Sequence, residues 1–143
     1  MLISQNGIDL IKSFEGFRAK TYVCPAGKKT IGWGHTGSDV FEGQTITEKE
    51  AEEILRKDLI FAETSVIELV DRPLTQNQFD ALVSFVFNVG RGNFSKSTLR
   101  KLLNSGDIKK ASAEFDKWIY SNGSVLSGLV ERRKREKALF LKA

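Results

Sequence analysis

The chain of 143 residues contains only one cysteine and one histidine, the residues that most often form disulfides or bind metal ions in small proteins. Cys24 has no partner for an intramolecular disulfide, so synthesis in a reducing compartment is the simpler expectation. His35 is not accompanied by cysteines or carboxylates at ligand spacing, so no metal centre and no other cofactor is expected.

Long apolar runs are also absent. The longest ones, such as Ala81 to Val89, are far shorter than the roughly 20 residues that cross a bilayer, so no transmembrane helix is expected. Met1 to Gly7 lack the basic region and the following apolar region of a secretory signal. We therefore expect the protein to remain in the cytoplasm until another component moves it to any target outside the membrane.

The composition is that of a globular protein, with 41% hydrophobic and 28% charged residues and no low-complexity tract. A formal charge of +4 predicts attraction to polyanions. Nucleic acids and anionic wall polymers both qualify, so charge alone does not choose the partner.

The pattern of apolar residues predicts two lobes and an α+β fold. A first amphipathic helix is expected from about Ser4 to Phe14, followed by short β-favouring runs broken by glycines, which indicate a small antiparallel sheet. Thr47 and Glu50 form a capping-box pattern that opens a long helix. We expect a sheet lobe from about residue 15 to 46, a connecting helix from about 47 to 70, and a helical lobe from about 74 to 143 that includes the first helix.

The helical lobe opens with a second capping-box pattern, Thr75 with Gln78, and Gly90 is suited to close the helix that follows. This helix has almost no polar face, which predicts a central position. Further helices are expected over about 96–103, 107–120 and 127–141, with a turn at Asn122-Gly123.

Glu15 lies where a catalytic acid could act. One reaction that needs such a group is the cutting of a glycosidic bond, which normally uses two acidic groups that flank the sugar, one of which protonates the leaving oxygen. Glu15 follows Phe14 at the end of the first helix, and Gly16 then lets the backbone turn into the sheet. Apolar neighbours would favour the protonated form that an acid needs, although a glutamate at a helix end is, on its own, usually a solvated surface group.

The spacing of Glu15, Cys24 and Thr30, followed by Ile31-Gly32-Trp33-Gly34-His35, closely resembles the phage-type lysozymes of glycoside hydrolase family 24. The resemblance continues through Phe87-Asn88-Val89-Gly90 and Gly128-Leu129 to Arg132-Arg133, and so covers essentially the whole chain. It implies a lysozyme-like fold with a cleft between the lobes. The implied activity is hydrolysis, with inversion, of the bond between N-acetylmuramic acid and N-acetylglucosamine in peptidoglycan.

The resemblance also implies roles for individual residues. Glu15 would be the general acid, while Cys24 and Thr30 would position and activate the water. Cys24 stands where other members have aspartate, and a free thiol with a pKa of about 8.5 is a weaker base than a carboxylate at neutral pH. Phe94 and His35 are candidate substrate-binding residues, with a structural hydrogen-bonding role as the alternative for His35.

Arg132, with Arg133 as second choice, is implied to hold the acid glutamate in place. The ordinary explanation of this basic run is a solvated helix face with pairs such as Arg132 and Glu136. The resemblance further implies a monomer that meets peptidoglycan only after a separate holin opens the membrane of the host cell.

Three other functions stay open. The first is a wall-binding module without turnover, for which Cys24 is the only hint. The second is a nucleic-acid-binding helical domain, although acidic residues interleave with the basic run and no recognition motif is evident. The third is a transglycosylase, which cuts the same bond without water and would not need Cys24 and Thr30.

Overall fold

The computed structural model describes all residues, from 1 to 143, and the chain forms two compact units. One comprises residues 8–60, and the other comprises residues 1–7 with 61–143. The boundaries fall inside two helices, α1 (Gln5–Glu15) and α2 (Glu48–Leu69). The sequence placed the whole first helix with the helical lobe, whereas the structure groups its residues from Ile8 onward with the sheet. Lys12 of α1 is ion-paired with Glu52 in that same unit.

The sheet-bearing unit contains three antiparallel strands in the order β1-β2-β3. Strand β1 is Arg18–Val23, β2 is Lys29–Gly32 and β3 is His35–Thr36. The register is irregular in the first half of β1 and regular at Tyr22, which pairs with Thr30. The apolar side chain of Ile31 is fully buried, so β2 supplies the inner face of this small sheet.

Helix α2 begins at the predicted capping box. The backbone N–H of Glu50 donates to Thr47 Oγ1 over 3.1 Å, and the N–H of Thr47 donates back to Glu50 Oε1 over 3.0 Å. The backbone N–H of Thr47 also lowers the pKa of Glu50, because it stabilises the carboxylate. The reciprocal bonds satisfy two donors that a helix start would leave open, and the prediction of a helix start here is confirmed.

The helical unit is built around α3, whose capping box at Thr75 and Gln78 is also confirmed. Phe79 and residues 81–83 are buried, and the ring of Phe85 makes edge contacts with Phe115 at 5.3 Å and Trp118 at 5.6 Å. The α-helices and strands of this unit are α3 (Gln76–Val89), α4 (Arg91–Lys96), α5 (Thr98–Ser105), α6 (Ile108–Glu114), β4 (Tyr120–Ser121), β5 (Ser124–Val125) and α7 (Ser127–Leu141). No helix of the chain combines the length and the apolarity that crossing a membrane requires.

Two predicted helices differ from the structure. The helix expected over 107–120 ends at Glu114, and the chain continues through a short 3-10 turn into the β4-β5 hairpin. Asn122 and Gly123 both have positive φ, 51° and 80°, as a two-residue hairpin turn requires. The helix expected from Lys96 begins at Thr98 instead, because Ser97 is extended and caps it by accepting a bond from the N–H of Arg100.

The basic run on α7 is partly buried, which contradicts a fully solvated face. Glu136 is completely buried and lies 2.6 Å from Nη1 of Arg133 and 3.2 Å from Nε of Arg132. Ser84 donates its hydroxyl to the same carboxylate over 2.6 Å. The predicted pairing of Arg132 with Glu136 is confirmed, but it is an interior ion cluster of the helical unit.

Candidate active site

Glu15 is the last residue of α1, and its side chain is half-buried within the sheet-bearing unit. The helix closes at Gly16, which has a φ of 69° and donates its N–H to the carbonyl of Lys12 over 3.2 Å. A residue with a side chain would be strained in this left-handed conformation, so glycine allows the sharp exit. The sequence thus places a carboxyl group where helix gives way to sheet.

The carboxylate of Glu15 lies against the turn between β2 and β3. A Cβ atom built on Gly34 would stand only 3.0 Å from Glu15 Oε1, and the φ of Gly34 is 84°. Two features therefore favour glycine at this position: the backbone conformation and the closeness of the carboxylate. The turn follows directly on β2, the strand that carries Thr30.

Cys24 and Thr30 lie together at the end of the β1-β2 hairpin. Cys24 donates its N–H to the carbonyl of Lys28 over 2.9 Å, and Gly27 donates to the carbonyl of Cys24 over 2.8 Å, which closes the loop. Thr30 is buried, and its hydroxyl donates to the carbonyl of Lys28 over 3.0 Å. The loop geometry holds the thiol of Cys24 within reach of the Thr30 hydroxyl.

The same contacts change the acidity of the cysteine. The backbone N–H of Lys28 favours the thiolate most, and after it the hydroxyl of Thr30, which turns its single hydrogen from the carbonyl of Lys28 to the sulfur when the thiol ionises, so the pKa of Cys24 is lowered below its ordinary value. Because Cys24 is only partly covered, desolvation opposes them weakly. A thiol of lowered pKa is ionised in a larger fraction of molecules near neutral pH than the free side chain considered from sequence, so a thiolate that can accept a proton from water is more often present.

An aromatic and cationic cluster next to Glu15 was not predicted as part of the site. Trp33 precedes Gly34, and its ring lies 5.1 Å from the ring of Phe17 and 5.1 Å from Nζ of Lys12. An aromatic residue such as Trp33 is, from sequence alone, expected to be part of a core. The sequence signal for a role of Trp33 in the site was its position directly before Gly34, inside the Thr30 to His35 motif.

His35 is held by two carboxylates. Its Nδ1 lies 2.8 Å from Asp58, and its Nε2 lies 2.9 Å from Asp39. Burial acts to lower the pKa of His35, but the two carboxylates outweigh it and raise the pKa above the ordinary value. Both ring nitrogens are occupied, so the geometry favours the structural alternative over the predicted substrate contact. Nowhere are three or more histidine, cysteine or acidic side chains placed to hold a metal ion.

Phe94 cannot serve as predicted. Its side chain has no exposed surface, and its ring packs edge-on against Phe85 at 6.3 Å. Stacking on a sugar would require the ring to leave the core of the helical unit. The expectation that Phe94 binds substrate is therefore corrected: α4 turns this residue inward, which its apolar character favours.

Arg132 is buried within the helical unit. Its Nη2 donates to the carbonyl of Ser84 over 3.0 Å, in addition to the pairing of its Nε with Glu136. Arg133, the second choice, donates to the carbonyl of Trp118 over 2.8 Å and to Asn88. The role of Arg132 in holding the acid glutamate stays a prediction.

Comparison with known proteins shows which chains this one resembles. Residues 12–136 match the family model described as phage lysozyme. The chain is 52% identical over 143 residues to an endolysin of Bacillus phage B103, which covers 99% of this chain and 54% of that relative. It is 46% identical over 144 residues to an endolysin of Acyrthosiphon pisum secondary endosymbiont phage 1, which covers 98% of both chains.

A solved structure confirms the lysozyme-like α+β fold. The muramidase domain of SpmX from Asticaccaulis excentricus superposes with a TM-score of 0.91 at 44% identity, and the match covers 99% of this chain and 98% of that one. The chain spans about half the length of the Bacillus phage relatives but nearly all of the second endolysin. The family model and the nearly full-length matches together establish that the chain belongs to the phage lysozyme family.

Proposed function

We propose that this chain is a muramidase that hydrolyses the β-1,4 bond between N-acetylmuramic acid and N-acetylglucosamine in peptidoglycan, and that it degrades the wall of a host cell for lysis. The names of its relatives, endolysin and muramidase domain, support this substrate class. The observation that carries the proposal is the carboxylate of Glu15 against Gly34, in the turn that follows the strand of Thr30.

In the proposed reaction Glu15 donates its proton to the bridging oxygen as the bond to the anomeric carbon breaks. A water oxygen attacks that carbon from the opposite face, which inverts its configuration. Thr30 and Cys24 orient the water, and the Cys24 thiolate takes the proton that the water loses. The lowered pKa of Cys24 supports this assignment, since it enlarges the thiolate fraction near neutral pH.

The first test compares Glu15→Gln with wild type for loss of turbidity of bacteria whose outer membrane has been permeabilised. We expect Glu15→Gln to lose about a hundredfold to ten-thousandfold in rate, the usual contribution of a general acid. Glu53→Gln, an exposed glutamate of α2 in the same unit, is the matched control and should keep full activity. Equal clearing by wild type and Glu15→Gln would refute the role of Glu15, and no clearing by either would indicate a binding module.

The second test separates hydrolysis from transglycosylation. Mass spectrometry of muropeptides released by the wild-type protein should show reducing ends, since water is the acceptor. Anhydro ends would refute the role given to Cys24 and Thr30 in handling water.

We also propose that the protein stays in the host cytoplasm until a separate holin opens the membrane, that it then acts as a monomer on the wall, and that it needs no cofactor. Fractionation of cells that express the chain with and without a holin tests the first point. Active enzyme in the periplasm without a holin would refute it.

A further inference from the structure

We infer that Trp33 is a positioning residue for Glu15, which it holds through Lys12 and Phe17. This inference rests on the proposed function, because it assigns Trp33 to the machinery that orients the general acid. Trp33 itself is not placed in contact with the reacting atoms.

The two residues that contact Trp33 lie on either side of Glu15 along the chain. Lys12 precedes Glu15 by three residues, about one helical turn, and Phe17 follows it by two. The indole ring of Trp33 contacts both, with Nζ of Lys12 at 5.1 Å from its centre and the ring of Phe17 at 5.1 Å. The Trp33 side chain therefore contacts the chain on both sides of Glu15.

The backbone that carries Trp33 is also close to Glu15. The next residue is Gly34, the one whose backbone lies against the Glu15 carboxylate. A movement of the Trp33 ring thus acts on Glu15 by two routes: through the end of α1, and through the turn that contacts Oε1. Misplacement of a reacting group by about 1 Å can cost two orders of magnitude in rate.

The Trp33 ring is held by its neighbouring side chains and not by a hydrogen bond of its own. The indole Nε1 of Trp33 is buried and has no hydrogen-bond partner, so no polar anchor of the indole determines its orientation. The contacts with Lys12 and Phe17 take that role, and Lys12 is in turn ion-paired with Glu52 on α2. A phenylalanine at this position would keep a ring face for both contacts and would lose no hydrogen bond.

The experiment measures kcat and KM of Trp33→Leu, Trp33→Phe and Lys12→Met on solubilised peptidoglycan strands, with the folded fraction of each followed by circular dichroism at the assay temperature. We expect Trp33→Leu to lower kcat by about tenfold, as misplacement of a reacting group predicts, with little change in KM. Trp33→Phe should restore most of the loss. The double variant Trp33→Leu/Lys12→Met should lose less than the product of the two single losses, because both act through one contact.

Arg18→Met provides the matched control. The guanidinium of Arg18 lies 4.6 Å from the ring of Tyr22, so this variant removes a second cation–aromatic pair from the same unit without touching Trp33. We expect its kcat to equal that of wild type.

A direct readout is the NMR chemical shift of the Glu15 carboxyl carbon after selective labelling, which should move in Trp33→Leu and return in Trp33→Phe. An unchanged chemical shift, a rise in KM alone, or a loss of kcat that only follows the folded fraction would each overturn the inference. If Glu15→Gln is inactive while folded Trp33→Leu is fully active, only the role of Trp33 fails. If Glu15→Gln keeps full activity, the proposed function fails first.

Discussion

Nδ1 of His35 lies 2.8 Å from Oδ2 of Asp58, which ties the short strand β3 to helix α2 within the sheet-bearing unit. The other ring nitrogen faces Asp39, four residues along the chain. These two contacts of His35 form a clamp. Since His35 directly follows Gly34, the clamp fixes the C-terminal side of the turn that contacts Glu15. The charged form of His35 stabilises this clamp more than the neutral form, because two carboxylates surround the ring.

Asp58→Asn is expected to remove a pH-dependent part of the stability. The folded pKa of His35 is raised, so the clamp stabilises the fold fully below the unfolded value of about 6.5 and loses this effect as the pH rises through the raised pKa. Asp39 has a lowered pKa, so its contribution to the stability of the fold is lost only on strong acidification. At about pH 5.5 the variant should lose about 1.5–3 kcal/mol of unfolding free energy, the range for a hydrogen bond to a charged group.

Urea unfolding at about pH 5.5 and about pH 9 measures this difference, which should be smaller at the alkaline pH. Glu48→Gln, at an exposed position of the same helix, is the control and should show no comparable pH dependence. A loss of equal size at both pH values would show that packing of Asp58, and not the charge of His35, is responsible.

Gly34→Ala is expected to reduce activity more than stability alone explains. Both Gly34, with a φ of 84°, and Gly43, with a φ of 79°, have left-handed backbones, and an alanine at either should cost about 1–3 kcal/mol. Only at Gly34 would the new Cβ meet Glu15, whereas nothing lies within 4 Å at Gly43. Thermal unfolding and lytic rate, measured on both variants, should show similar destabilisation but a loss of about tenfold or more in rate only for Gly34→Ala. Similar rates for the two would mean that the contact with Glu15 does not matter.

Thr30→Val should raise the pKa of Cys24, because it removes the hydroxyl that hydrogen-bonds to the thiolate. The rate of alkylation of Cys24 by iodoacetamide as a function of pH reports this pKa directly. The curve should move to higher pH in Thr30→Val and stay in place in Thr36→Val, a threonine on the neighbouring strand. An unchanged curve in Thr30→Val would exclude the hydrogen bond.

Substitution of the cysteine itself tests its part in the reaction. We expect Cys24→Asp to retain activity, since a carboxylate is almost fully ionised at neutral pH and so is ready to accept a proton from water. Cys24→Ala should lose about a hundredfold, at the lower end of the range for acid–base groups. Turbidity loss measures both, and full activity of Cys24→Ala would make the thiol dispensable.

Local signals were sufficient for much of the fold. The capping boxes at Thr47 and Thr75 were predicted because side chain and backbone meet within four residues, and no distant contact is needed. The β4-β5 hairpin was half predicted: the turn at Asn122-Gly123 was identified, but Tyr120 was assigned to a helix. A two-residue Asn-Gly turn is a strong hairpin signal and should have outweighed the short helical pattern before it.

The parts of the site that sequence missed depend on distant partners. Nothing local pairs His35 with Asp58, or Lys12 with Glu52, because the partners lie in α2. Phe94 was misassigned because an aromatic residue has the same appearance in sequence whether it lines a surface or fills a core. Only the packing of α4 against Phe85 decides this.

Glu136→Gln should strongly destabilise the helical unit. Its carboxylate is completely buried between two buried guanidinium groups, so the amide would leave the positive charges of Arg132 and Arg133 without their counter-charge. Breaking a buried ion cluster from one side usually costs about 3–5 kcal/mol. Asp116→Asn breaks a pair with Lys137 of similar length, 2.8 Å, but Asp116 is mostly exposed, and its loss should cost less than about 1 kcal/mol. Equilibrium unfolding in urea measures both variants under the same conditions. Equal losses would mean that burial adds nothing to the Glu136 cluster, and the two arginines would then need another source of neutralisation.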